Sequence, residues 1–160
     1  MRLLLVATNR EASPFPVAPL GALCIAAAAR TAGHTVRFLD LGQERSPERA
    51  LRRALASDDH QAVAFSIRNL DNCFVLAPHG YVGEVAVLAD TVRQVFRGPL
   101  ILGGSGFSVS PRGWMRRLPA DCGVMGEGER VFVELLARLE AGQSPDGING
   151  VIMKQSGATP

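Results

Sequence analysis

Short, mostly apolar runs separated by longer stretches of helical period constrain this chain more than any other feature of its sequence. Five runs stand out: Leu3 to Ala7, Thr35 to Leu39, Ala62 to Ser66, Leu100 to Gly103 and Cys122 to Met125, with a sixth candidate from Gly150 to Met153. Strands without regular polar alternation are buried on both faces, as in a parallel sheet covered by helices on each side. The segments between them carry the helices. The first spans about Pro19 to Ala32, is rich in alanine, and stops at Gly33, a residue suited to a C-terminal cap. The second opens with Ser46 as cap and Pro47 at its first position, and turns Leu51, Ala54 and Leu55 inward. The third, Val82 to Phe96, spaces Val85, Leu88, Ala89, Val92 and Phe96 at three and four residues. A short fourth begins at Ser110-Pro111 and carries Trp114; a fifth, Glu129 to Glu140, buries Phe132, Leu135, Leu136 and Leu139.

Right-handed crossovers leave few topologies for such an order of elements. The expectation is a Rossmann-like three-layer α/β domain over residues 1–153, with a five-stranded parallel sheet in the flavodoxin-like order 2-1-3-4-5. The stretches from Gly142 to Gly147 and from Ser156 to Pro160 read as loose and polar, and residues 154–160 as a tail leading elsewhere. At 160 residues the chain is long enough to bury one sizeable core without disulfides or a structural metal.

Composition removes several classes of function. Seventeen basic residues against fifteen acidic ones give a net charge of +2, too thin a surplus for a nucleic-acid footprint. Cys24, Cys73 and Cys122 form no CxxC pattern; they point to a reducing compartment and to roles as small buried hydrophobes. The apolar start, Met1 to Ala7, is too short for a signal peptide, and no apolar run approaches the roughly 20 residues that span a bilayer. A soluble, cytoplasmic protein without membrane or nucleic-acid partners is expected.

In this topology ligands bind at the carboxyl ends of the strands, where the strand order reverses. Two unusually long loops fall there, Thr8 to Ala18 and Ile67 to Gly80. Pro14, Pro16 and Pro19 stiffen the first; the second carries the polar run Arg68-Asn69-Leu70-Asp71-Asn72. Familiar chemistries are excluded by position. The places of a phosphorylation receiver's acids and lysine hold Thr8-Asn9, Ser66 and Gly126; there is no P-loop, no GxGxxG after the first strand and no GxSxG elbow. The run Leu102-Gly103-Gly104-Ser105-Gly106 either makes a tight turn or lets a flat ligand approach the backbone. Met125-Gly126-Glu127-Gly128-Glu129 poses the same choice before the last helix, with Glu127 available to accept from a ligand and Glu129 complementing the helix dipole.

Taken together, Pro19-Leu20-Gly21, Gly33-His34, Asp40, Gly103-Gly104 and Gly126-Glu127-Gly128-Glu129, in this order on the strand ends, resemble the N-terminal cobalamin-binding domain of B12-dependent radical SAM enzymes. Phe65 to Asn72 resembles the third-strand segment of one subgroup. The resemblance covers nearly the whole chain. It implies a domain that holds cobalamin with its dimethylbenzimidazole tail detached from cobalt. Ser66, Gly103, Gly104 and Ser105 would line the tail cleft, Gly126, Glu127 and Gly128 would back it, and the corrin would lie over Thr8, Asn9, Pro19, Arg68, Asn69 and Asn72. The Asp-x-His-x-x-Gly motif that supplies a lower cobalt ligand elsewhere in the wider family is missing after the first strand; Asp58-x-His60 lies before the third and lacks the glycine. The implied state is therefore His-off, with Arg68 either near the lower face of cobalt without ligating it or an ordinary solvated or ion-paired loop residue.

The implied activity is methyl transfer from S-adenosylmethionine by way of cobalt to a substrate radical, in a parent enzyme that also carries a [4Fe-4S] cluster on a C-terminal radical SAM domain. No CxxxCxxC cluster motif occurs in these 160 residues, so the expectation is a cofactor domain that does not catalyse alone. The competing expectation is a non-catalytic small-molecule or nucleotide sensor of the same fold. Two arginine groups, Arg112, Arg116 and Arg117 around Trp114, and Arg49, Arg52 and Arg53, read as solvated helix faces rather than as docking surfaces.

Overall fold

The computed structural model describes residues 1–12, 15–72, 76 and 78–154, which leaves Cys73 and the tail beyond Lys154 outside the description. The elements in chain order are β1 (Arg2–Ala7), α1 (Leu20–Thr31), β2 (Thr35–Asp40), a 3-10 turn (Leu41–Gln43), α2 (Pro47–Ser57), β3 (Ala62–Ser66) and α3 (Val82–Val95). They continue with β4 (Leu100–Gly103), α4 (Ser105–Val109), α5 (Pro111–Arg117), β5 (Cys122–Val124), α6 (Glu129–Glu140) and β6 (Val151–Met153). The strands form one sheet in the order β2-β1-β3-β4-β5-β6. The first five run parallel in the expected order; β6 pairs antiparallel with β5, matching Cys122 to Met153 and Val124 to Val151.

Strand β1 explains the near-continuous apolar run at the start of the sequence. It sits between β2 and β3 with helices on both faces, and Leu3 to Ala7 are all buried. Alternate residues then divide between two cores. Leu4, Val6, Val63, Phe65, Leu100 and Leu102 face α2, α3 and α5, where Leu51, Leu88, Val92 and Trp114 close the layer. Leu3, Leu5, Ala62, Ala64 and Ile101 face α1 and α6, where Ala26, Ala29, Phe132 and Leu135 are buried. Each large aliphatic side chain removed from water contributes about 1.5–3 kcal/mol.

Local signals have visible causes. Gly33 adopts φ +89°, and the turn that ends α1 closes with Gly33 and His34 N–H donating to Arg30 and Ala29 carbonyls. Pro47 starts α2 as expected, but Ser46 makes no side-chain cap bond. The arginines of α5 are exposed while Trp114 is buried, its indole N–H donating to the Gly106 carbonyl at 2.9 Å. Two expectations are corrected. Cys24 is exposed on α1, whereas Cys122 is buried in β5. Gly142 to Gly147, read as loose, is a connection inside the fold: Arg138 donates to the Asp146 carbonyl at 3.2 Å, and buried Ile148 anchors the return to β6. No helix among the described residues is long and apolar enough to cross a membrane.

Burial pushes the Cys122 thiol up to about 12, with the nearby Asp121 charge adding to the effect. A neutral alkylating reagent at pH 8 should therefore label Cys24 in the folded chain and Cys122 only after unfolding, which peptide mass spectrometry can check.

At the amino edge of the sheet, His34 lies buried, with Nδ1 3.0 Å from the Met1 ammonium and 3.7 Å from Glu140 Oε2. Burial, then the ammonium, hold the imidazole below its usual 6.5, opposed in part by Glu140. A histidine with a depressed folded pKa takes up its proton more readily when unfolded. Its contribution to stability is thus complete above pH 6.5 and is lost as pH falls toward the lower folded value. Urea midpoints should fall as pH drops below 6.5, and His34→Gln should flatten that slope.

Candidate functional site

Three small residues end adjacent strands side by side. The register pairs Ala7 of β1 with Ser66 of β3, and Ser66 with Gly103 of β4. One pair of residues earlier on the same face lie Leu5, Ala64 and Ile101. Because the end row carries almost no side chain, a cavity of about 530 Å³ opens there between the sheet and the α1 and α6 layer. Its floor and walls are apolar, with Ala22 and Ile25 from α1, Val124 from β5 and Phe132 from α6. Its rim is polar: Asn9, Arg10 and Glu11 after β1, Asp40 and Gln43 after β2, Arg68 after β3, and Glu127 after β5. An apolar slot with polar groups only at its mouth suits a flat, greasy body whose polar arms stay near the surface.

The rim is built from backbone contacts. Ile67 N–H donates to the Gly103 carbonyl at 2.7 Å, Gly106 N–H donates to the Ile67 carbonyl at 2.9 Å, and Ser105 Oγ donates to the Arg68 carbonyl at 2.9 Å. The loop after β3 is thereby laid directly over the turn between β4 and α4. Gly104 has φ +99°, and a Cβ there would stand 2.5 Å from the Ile67 carbonyl oxygen; one at Gly106 would meet Arg68 backbone at 2.9 Å. Two glycines of the run are therefore required by the chain's own packing, whatever the ligand. Gly103 is different, because a Cβ there meets nothing closer than 3.6 Å and its bareness deepens the slot. Gly126, at φ +78°, has open space beside it and spends its N–H on Ser108 Oγ at 2.9 Å.

Of the residues singled out from the sequence, Asn9, Pro19, Ser66, Arg68, Gly103, Gly104, Ser105, Gly126, Glu127 and Gly128 all line this cavity. Thr8, Asn69 and Asn72 stand outside its lining. Thr8 is buried, its N–H and Oγ1 both donating to the Ser66 carbonyl at 3.2 and 3.1 Å, so it ties β1 to β3. Asn72 pairs with His79 in both directions at 3.0 Å. The backbone of Asn69 lies against Gly106. The Arg68 side chain is exposed and makes no ion pair among the described residues.

The apolar floor, Ala22, Ile25, Ala64, Ile101 and Phe132, was missed by motif reading. Its signal is the alternation along β3 and β4, which places Ala64 and Ile101 on the same face as Ser66 and Gly103. None of the three histidines lines the cavity: His34 lies at the amino edge, His60 Nε2 sits 2.9 Å from the Ala54 carbonyl, and His79 pairs with Glu84. No group of three or more His, Cys, Asp or Glu gathers among the described residues to hold a metal.

Comparison with known proteins places this geometry. The B12 binding domain family matches residues 8–136. The chain belongs to that family. Tryptophan 2-C-methyltransferase of Streptomyces laurentii is 28% identical over 135 residues, which are 84% of this chain and 22% of that protein. The radical S-adenosylmethionine methyltransferase TsrM of Kitasatospora setae, solved with cobalamin and a [4Fe-4S] cluster, superposes with a TM-score of 0.90 at 27% identity, over 97% of this chain and 27% of TsrM. TsrM has also been solved with tryptophan and the analogue aza-SAM. OxsB, a cobalamin-dependent S-adenosylmethionine radical enzyme, shares the fold at a TM-score of 0.74 and 16% identity. The chain spans about a quarter of the length of the methyltransferases it resembles. The resemblance read from the strand ends is thus confirmed at the level of the domain.

Gly104→Ala should destabilise the chain by roughly 2 kcal/mol or more, through both the positive φ and the backbone clash. Gly83→Ala, exposed in the first turn of α3 with nothing within 4 Å of its Cβ, should be neutral or stabilising by about 0.5–1 kcal/mol. Urea unfolding of the two variants checks the contrast.

Proposed function

We propose that this chain is the cofactor module of a B12-dependent radical S-adenosylmethionine methyltransferase, and that it binds cobalamin base-off and His-off. The observation that carries the reading is the apolar slot at the carboxyl edge of a B12 binding domain that has no histidine in its lining. The residues present fit the group. The row Ala7, Ser66 and Gly103 leaves room for a flat heteroaromatic tail against Ala64 and Ile101. Asn9, Arg10 and Arg68, at the polar mouth of the slot, would hold the macrocycle.

When bound, cobalamin supplies the methyl-carrying chemistry, and the protein contributes orientation and electrostatics. Arg68 is the cation closest in sequence to the slot-lining Ser66, and it lines the cavity with it. A guanidinium donates hydrogen bonds but has no lone pair to offer a metal, so near a bound cobalt it would not ligate and would favour the less positively charged metal. Ser66 and Ser105 can hold amide arms at the rim, and Glu127 can accept from one.

The [4Fe-4S] cluster and S-adenosylmethionine belong, in this reading, to a further radical SAM domain of the parent enzyme. Val17 and Leu20 on the cavity lip and Leu23 on α1 support it: they are exposed apolar side chains that a covering domain would bury. The module alone then binds its cofactor without turning over substrate.

Titration with hydroxocobalamin, gel filtration and chemical reduction test the reading. About one cobalamin should stay with each chain, and the cob(II)alamin electron paramagnetic resonance spectrum should lack splitting from an axial nitrogen. Arg68→Ala should change affinity by no more than about 1 kcal/mol yet move the Co(II)/Co(I) potential to more negative values, with Arg68→Lys restoring part of the shift. A folded chain that emerges free of cobalamin would overturn the proposal in favour of a sensor of another small molecule.

A further inference from the structure

The two loops that flank the cavity mouth meet at Tyr81, the residue preceding α3. Its backbone N–H donates to the Leu70 carbonyl at 3.0 Å. That bond, the bridge between Asp71 and Gly80, and the paired bonds of Asn72 with His79 join residues 70–72 to residues 79–81. The Tyr81 hydroxyl, meanwhile, donates to the carboxylate of Glu11, seventy residues away and part of the cavity rim. The phenol is steadied from its other side by the His79 ring, edge-on at 5.0 Å between centroids, and His79 Nε2 lies 2.7 Å from Glu84 Oε1.

We propose that the Tyr81 hydroxyl and Glu11 form a latch that holds residues 9–12 against the cavity mouth and so sets how long a bound cofactor stays. The identity of that cofactor rests on the reading above; the latch itself does not. A hydrogen bond to an ionised carboxylate is roughly twice as strong as one between neutral groups. The bond is also well placed for leverage. Glu11 shares its loop with Asn9 and Arg10, which line the cavity, while Tyr81 is anchored through Leu70 to the segment that carries Arg68. Burial, the bond to Glu11, and the charges of Glu11, Glu84 and Asp71 push the phenol up to about 12, so it remains a donor through neutral and mildly alkaline solution. Opening the cavity mouth therefore requires this bond to break, and the rest of the fold need not unfold.

Tyr81→Phe removes the donor while keeping the ring against His79; Glu11→Gln keeps an uncharged acceptor; Glu11→Ala removes it. Two readouts apply to each variant. In the cofactor-free chain, amide exchange across residues 9–12 should quicken about fivefold in Tyr81→Phe and less in Glu11→Gln, with the urea midpoint little changed. In the loaded chain, release of hydroxocobalamin should quicken about tenfold in Tyr81→Phe, and the double variant Tyr81→Phe with Glu11→Ala should be no faster than the quicker single. Unchanged exchange at residues 9–12 in Tyr81→Phe would overturn the latch, as would additive effects on release. Should the parent chain retain no cobalamin, the proposed function fails, and the exchange measurement still decides the latch.

Discussion

The backbone seam between the loop after β3 and the turn after β4 is the contact on which the site depends. Ile67 donates to Gly103 and accepts from Gly106, and Gly104 between them takes a conformation that only glycine adopts without strain. The seam sets where Arg68 leaves the sheet and where α4 begins, and both belong to the cavity rim. Replacing a side-chain interaction would alter one rim residue; loosening the seam would displace two walls together. Trp114 reinforces it from behind, since its indole N–H is spent on the Gly106 carbonyl.

Function rests on a division of labour across the sheet. One face carries the larger side chains, Phe65, Leu102, Phe107 and Trp114, and supplies stability. The other ends in Ala7, Ser66 and Gly103, and what it forgoes in packing becomes room for a ligand. Small residues at three neighbouring strand ends are costly for a domain that binds nothing, because each leaves apolar neighbours without partner atoms. No histidine lines the slot, and the charged groups at its mouth are of both signs, Arg10 and Arg68 beside Glu11, Asp40 and Glu127.

Much of this was legible from residues. Leu3 to Ala7 announced a central strand because all five positions are apolar, and the spacing of Val85, Leu88, Ala89 and Val92 announced a helix; both lie where expected. The strand order followed from handedness and from the order of the elements. The residues drawn from the strand ends converge on one cavity because a parallel sheet delivers all its carboxyl ends to one edge. Thr8 and Asn72 show the limit of that logic. Polar side chains in site loops are as readily consumed in holding the loop as in meeting a ligand, and spacing does not distinguish the two.

By itself the sequence determined the elements, their alternation, the membership of a cobalamin-type domain and the neighbourhood of the site, since these depend on local periodicity and on short motifs at strand ends. Only the tertiary structure decided which glycines leave the cavity open and which are required by the chain's own packing. Gly103 and Gly104 are neighbours in sequence, yet a Cβ on one would make ordinary contact with Val124 and a Cβ on the other would clash with the Ile67 backbone. It likewise decided that β6 turns back antiparallel, that Cys24 points to solvent while Cys122 is buried, and that Tyr81 reaches across seventy residues to Glu11. Each of these depends on which surfaces meet after folding, and the distance between two residues along the chain carries no record of that.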